Sequence, residues 1–252
     1  MHQNLPQHRF CLTIKQLTVF MRTPTASAKW LALAITLLPI ISQAQQNLFN
    51  VPSADITEQG QFFFQQQFNF LTSYIGSSNT TLDYGLGHEW EIGVNLFNVD
   101  FQETNGVFQN PHVLLNFQKG YTLSDNYKIS FGSQSGITPA IHSNVTELPS
   151  FSYIDNALDL KEYGKYYLGG YFVNKAYASK EQFGFMAGVD YPLIENKLHL
   201  MGDIISGSSD ISVSVLGFVL FLPHDWQLSL GAQLPSPTSN NNYGLVFEIT
   251  KL

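Results

Sequence analysis

Residues 80–96 read TTLDYGLGHEWEIGVNL. Leu82, Tyr84 and Leu86 stand two apart and oppose Thr81, Asp83 and Gly85. After Gly87-His88, the residues Trp90, Ile92, Val94 and Leu96 oppose Glu89, Glu91, Gly93 and Asn95. Side chains alternate across a strand with a period of two, so each run has one apolar and one polar face. Two such runs joined by a tight glycine-containing turn read as an antiparallel hairpin.

The same alternation extends in both directions. In 61–70, Phe62, Phe64, Phe68 and Phe70 oppose Gln61, Gln65, Gln67 and Asn69, with Phe63 out of phase. Val113, Leu115 and Phe117 oppose His112, Asn116 and Gln118, and Tyr127, Ile129 and Phe131 oppose Lys128, Ser130 and Gly132. Further on, apolar runs end at Tyr191, Ile204, Leu234 and Ile249, opposite Asp190, Lys197 and Asp203, Gln233, and Glu248. Three segments are less regular. Residues 163–174 mix Tyr and Gly on both faces, 211–221 turn apolar on both faces, and 151–158 are short.

The connections alternate too. Tight ones at Gly87-His88, Ser124-Asp125-Asn126, Asp159-Leu160-Lys161, Glu195-Asn196 and Pro223-His224-Asp225 interleave with longer ones at 73–78, 103–110, 137–150, 175–181, 206–210 and 236–242. The alternation is unbroken only if 151–158 is a strand, which makes the strand number even and about twelve. Up-and-down membrane barrels have short turns at the periplasmic rim and longer external loops.

The expected fold is therefore all-β, a transmembrane up-and-down antiparallel barrel of about 12 strands. A soluble sandwich or lipocalin-like barrel gives the same alternation with the apolar face inward. Two features favour lipid. The apolar face carries Phe, Trp, Tyr and Leu on nearly every strand, too bulky for a small closed interior. The polar face is Gln, Asn, Ser and Gly, and charged residues make up only 12% of the 252-residue chain. A soluble surface needs about twice that share of charge. Lys119 is in phase with the lipid face but lies near a turn, where its ammonium can snorkel.

The first 44 residues belong to something else. They hold four of the twelve basic residues and no acid, leaving eight lysines against 19 acids, a net −11, in the rest. From Met21, a plausible start, Arg22 and Lys29 precede the apolar run Trp30–Ile41 and then Ser42-Gln43-Ala44. Basic region, short apolar core and small-residue cleavage site define an export signal. The apolar run is too short for a membrane helix, which needs about 20 residues. The expected organisation is 1–44 leader, cleaved after Ala44; 45–59 a short periplasmic or lumenal segment; and 60–252 the barrel. Cys11, the sole cysteine, lies in the leader. The exported chain would have no thiol chemistry, disulfide or lipoprotein anchor.

Leader, strands of about ten residues and the terminal strand Tyr243–Leu252 together resemble the bacterial outer-membrane β-barrel superfamily. The resemblance implies residence in a Gram-negative outer membrane, with lipid around the barrel and the β-barrel assembly machinery reading the last strand. That strand alternates as required but ends in Leu252 rather than an aromatic. The hairpin Leu82–Val94 is similar to one in porin-like barrels grouped with phenol-degradation meta-pathway proteins.

The expected function is a narrow porin-like channel, not an enzyme, passing a small polar or cationic solute. The candidate lumen-lining residues are Asp83, Glu89, Glu91, Lys128, Asp190, Lys197, Asp203 and Glu248, with Lys165 a further base. Their excess of acid favours cations. The same charges could instead pair with one another and fill the lumen. Residues 137–150, the longest loop, could fold inward as a constriction. Two other classes stay open, a structural or adhesion barrel without a conductive path and a lipid-modifying enzyme. His142-Ser143 is the one hydrolase-like pair, but neighbours on an extended chain point apart. No catalytic, cofactor or metal motif stands out. The chain beyond the leader is acidic and lacks arginine, which speaks against nucleic acid as a partner.

Overall fold

The computed structural model describes residues 47–73, 75–102 and 108–252. The expected leader, with its cleavage site, lies outside the described residues.

Twelve strands close into one antiparallel barrel: β1 (Phe62–Leu71), β2 (Gly76–Gly87), β3 (Trp90–Gln102), β4 (His112–Ser124), β5 (Tyr127–Ile137), β6 (Ser150–Asp159), β7 (Lys165–Val173), β8 (Phe183–Ile194), β9 (Leu198–Ile205), β10 (Val213–Leu222), β11 (Trp226–Pro235) and β12 (Gly244–Lys251). Each strand pairs with its sequence neighbours. The seam is β1 against β12, with Phe64 opposite Lys251 and Leu71 opposite Gly244. Closure satisfies every ladder without an edge, as a sheet in hydrocarbon must.

Residues 151–158, counted through the alternation of turns, form the centre of β6, paired to β5 and β7. The stretch 73–78, read as a loop, is shorter than expected. Gly76–Ser78 already belong to β2, opposite Phe68–Phe70. The Ser and Asn there are polar on both faces and give no period-two signal.

The alternation maps onto the barrel as lipid arithmetic requires. Leu115, Leu168, Phe183, Phe185, Leu216 and Leu230 point outward, each more than half exposed. A lysine or arginine at mid-depth there would cost about 2–4 kcal/mol. Lys119 points outward near the turn end of β4. Its ammonium reaches the His88 carbonyl at 2.5 Å and lies 4.7 Å from the Tyr121 ring and 5.7 Å from that of Trp90.

Two of the tight turns use left-handed backbone at both central residues, His88-Glu89 and His224-Asp225, with φ between 51° and 62°. That pattern matches the twist of two-residue hairpins. A 3-10 turn, Lys161–Tyr163, joins β6 to β7.

Candidate functional site

The barrel interior is the candidate site, and the chain itself enters it. Residues 48–55 are enclosed by the barrel, and the segment emerges at the turn end, where Glu58 and Gln59 are exposed. Leu48, Phe49, Val51 and Ala54 are almost wholly buried and belong to one cluster with inward residues of β6–β10, among them Phe151, Tyr167, Tyr171, Met186 and Val215. Leu48 and Val51 close a turn through a backbone hydrogen bond of 3.1 Å. From there the segment descends toward the turn end, where the Gly60 amide donates to the Gly85 carbonyl at 2.9 Å.

Polar ties fix its path. The Asn50 and Val51 amides donate to Asp203, the latter at 3.0 Å. Gln118 donates to the Ser53 carbonyl at 2.6 Å. The Thr57 amide donates to Glu91 at 2.8 Å. Asp55 accepts from Lys128 at 2.9 Å and also pairs with Lys165. Burial alone would raise the Asp55 carboxyl, but Lys165 and Lys128 outweigh it and hold it below the usual carboxylate range.

The wall makes room for this segment with glycines. A methyl group at Gly188 would overlap Leu48, one at Gly231 would press on Phe49, and one at Gly120 would meet Ile56. The lumen is accordingly two-faced. Its β6–β10 side is mostly apolar where it meets the segment, with Asp203 and Lys165 the polar exceptions. The opposite side carries Gln65, Gln67, Thr81, Asp83, Glu91, Asn95, Gln118, Gln227 and Glu248, all buried.

Among the eight sequence candidates, Asp83, Glu91, Asp190, Asp203 and Glu248 are buried and inward. Lys128 sits at the turn end of β5 on Asp55. Asp190 accepts or shares a hydrogen bond with His199 Nδ1 at 2.7 Å. Glu248 lies across from Ser229 on β11. Glu89 and Lys197 fall in turns instead of along the lumen wall. Glu89 binds the Thr122 hydroxyl at 2.5 Å and lies 3.8 Å from Lys119. Those hydrogen bonds, with Lys119 nearby, hold its carboxyl below the usual range. Sequence reasoning missed Asp55 and Asp155. Asp55 lies in a stretch without period, and Asp155 follows Tyr153 on the inward face of a strand too short to weigh.

Two recesses flank the segment. One of about 100 Å³ lies toward the loop end, lined by residues such as Asn79, Asp83, Asn116 and Gln134. The other, of about 220 Å³, lies at the turn end between Glu58, His88, Gly120 and Lys128. The loop 138–149 gives no hydrolase pairing. Ser143 donates to the Val145 carbonyl at 3.0 Å, and the His142 ring lies 5.6 Å from that of Phe108, tilted by 37°. Among the described residues, no group of three or more His, Cys, Asp or Glu is placed to hold a metal ion.

Closure, strand number, turn alternation and an apolar outer face define a closed twelve-stranded antiparallel barrel of porin-like architecture. A solved structure described as NanC porin, in a rhombohedral crystal form, superposes with a TM-score of 0.52 over 75% of this chain and 98% of its own, at 9% identity. At that identity the likeness speaks to fold alone. No protein-family model and no curated protein matches the chain.

Proposed function

We propose that the protein is a narrow outer-membrane channel for small polar or cationic solutes, obstructed at one level by its own residues 47–59. One observation carries this reading: the lumen is blocked at the segment but holds recesses of about 100 and 220 Å³ on its two sides. A purely structural barrel of this size would fill its interior with side chains throughout, as small barrels do. The segment is held by hydrogen bonds, ion pairs and packing, all reversible, and Asp83, Glu91, Asp190, Asp203 and Glu248 would bias a cleared lumen toward cations.

On this reading the leader is cleaved after Ala44 during export. Lipid surrounds the outward Phe and Leu faces, and the assembly machinery engages Tyr243–Leu252. No solute chemistry in the proposal needs a cofactor.

The test is conductance in planar bilayers. The refolded full-length exported chain should show mostly closed traces with brief openings. A variant lacking residues 45–59 should show steady steps whose reversal potential in a salt gradient favours cations. A folded deletion variant that stays silent would leave a structural barrel as the better reading.

A further inference from the structure

Asp155, on the inward face of β6, is fully buried, and neither of its side-chain oxygens completes a hydrogen bond. The amide of its neighbour Asn156 comes near without closing one. β6 runs between β5, which carries Lys128, and β7, which carries Lys165. An unpartnered acid therefore stands on the strand between two lysines, yet both lysines are turned to Asp55 of the segment.

The pairing register brings these groups within reach of one another. Ser130 of β5 lies opposite Asp155, and Lys128 lies opposite Ala157. Lys128 and Asp155 are thus diagonal neighbours on one face, with Cα atoms about 7–8 Å apart, a span that long side chains bridge. On its other side Asp155 pairs with Gly169, where a methyl group would lie 2.7 Å from the Asp155 Oδ1. The carboxylate therefore leans over β7. Lys165 comes up the same face of β7, its ammonium 5.6 Å from the ring of Tyr167, the inward residue between Lys165 and Gly169. Asp155 is close enough to feel the charges of both Lys165 and Asp55. Asp159 also lies opposite Lys165, but at the turn end, where its Oδ1 accepts from the Lys161 amide at 2.7 Å.

A buried carboxylate without a partner is costly, and so is a buried lysine whose partner leaves. While the segment is seated, Asp155 bears the first cost. Were Asp55 to leave with the segment, Lys165 and Lys128 would bear the second. A swing of either lysine to Asp155 relieves both at once.

We propose that Asp55 of the segment and Asp155 of the wall are alternative partners for Lys128 and Lys165, so that seated and displaced states of the segment exchange one set of ion pairs for another. The proposal deepens the channel reading and rests on it for what displacement of the segment does.

The experiment places Asp155→Asn in the refolded full-length exported chain. It reads open time in planar bilayers and, independently of current, the rate at which added protease cuts the segment. Asparagine keeps the size of the side chain but cannot hold a lysine as an ion pair. Both readouts should fall about tenfold, an ordinary size for coupling between groups in contact, while Asp155→Glu stays within about threefold of the parent. In a chain already carrying Lys128→Met and Lys165→Met, Asp155→Asn should change neither readout. Plain repulsion between Asp55 and Asp155 would survive loss of the lysines, so an undiminished effect in that background would overturn the exchange. Lys128→Met alone serves if the pair fails to fold, with the effect of Asp155→Asn then reduced to about threefold or less. Heat-modifiable migration in gels reports folding for each variant. Currents and cutting rates both indifferent to Asp155→Asn would overturn the exchange and leave the channel. Slower cutting in Asp155→Asn, with no current from any variant, would overturn the channel and leave the exchange.

Discussion

Asp55, on the segment inside the lumen, and Lys128, at the turn end of β5, meet at 2.9 Å. The other oxygen of the same carboxylate holds Lys165 of β7. One acid thus clamps the segment to two strands, and Lys165 is 13% exposed against 39% for Lys128.

Asp55→Ala should free the segment. Removing one partner of a buried pair costs more than the pair was worth, because the remaining charge stays desolvated. Lys128 is partly solvated, so we expect about 1–3 kcal/mol, or roughly ten- to hundredfold more open time in bilayer recordings. Adding Lys165→Met should recover part of the barrel's urea resistance without restoring closure.

The clamp should also respond to acid. The folded-state carboxyl of Asp55 is held below its ordinary value by Lys165 and Lys128. A depressed acid contributes stability above its unfolded pKa and loses it as pH falls through the folded one. The contribution of Asp55 to closure should therefore be flat from pH 8 to about pH 5 and be lost only below about pH 4. Asp55→Ala should abolish the accompanying rise in open time. A loss of that contribution already complete at pH 6 would place the switch elsewhere.

The glycine seat gives an independent handle on the segment. Gly188→Val would drive a side chain into Leu48, and Gly231→Val would press on Phe49. Overpacking costs about 1–3 kcal/mol, and displacing the segment relieves it while the strand pairing remains. We expect both variants to keep heat-modifiable migration and to expose the segment to added protease at least tenfold faster than the parent chain.

Much of this architecture is legible in the sequence, and the rest is hidden for physical reasons. Phe62, Phe64 and Phe70 on β1 announce the outward face because the period-two alternation puts them all on one side of the strand. The strand β6 was reached through the even spacing of turns, not through its own weak pattern. The segment 47–59 has no periodicity, so nothing in Leu48 or Phe49 says that they sit inside a barrel. Residues 163–174 and 211–221 look irregular for the same cause. Tyr167, Val215 and Val219 are apolar on the inward face and share one buried cluster with Leu48, Phe49 and Val51, while Tyr171 stacks on Phe151. The polar half of the lumen, around Asp83, Glu91 and Glu248, keeps a clean alternation.

The outward faces should obey a depth rule. Leu230 lies in the middle of β11 and is 56% exposed, whereas Trp226 begins that strand. In vesicles, Leu230→Arg should lower the unfolding free energy by about 2–4 kcal/mol and Trp226→Arg by about 0–1 kcal/mol, read from urea titrations. Equal costs at the two positions would mean that β11 does not cross hydrocarbon at its centre.

Closure itself is testable at the seam. β12 pairs along its whole length with β1 on one side and with β11 on the other. Deleting residues 244–252 leaves the facing amides and carbonyls of both neighbours unpaired. Each unsatisfied group in hydrocarbon costs several kcal/mol, so no partial barrel should survive. We expect the deletion to abolish the compact, heat-modifiable species in refolding with vesicles. Lys251→Ala removes an ion pair with Asp225 at 3.3 Å, both side chains more than a third exposed, and a local hydrogen bond to the Leu252 carbonyl at 2.7 Å. Such a pair is worth about 0–1 kcal/mol, and that variant should refold like the parent. A heat-modifiable band from the truncated chain would show that β1 and β11 can close without β12.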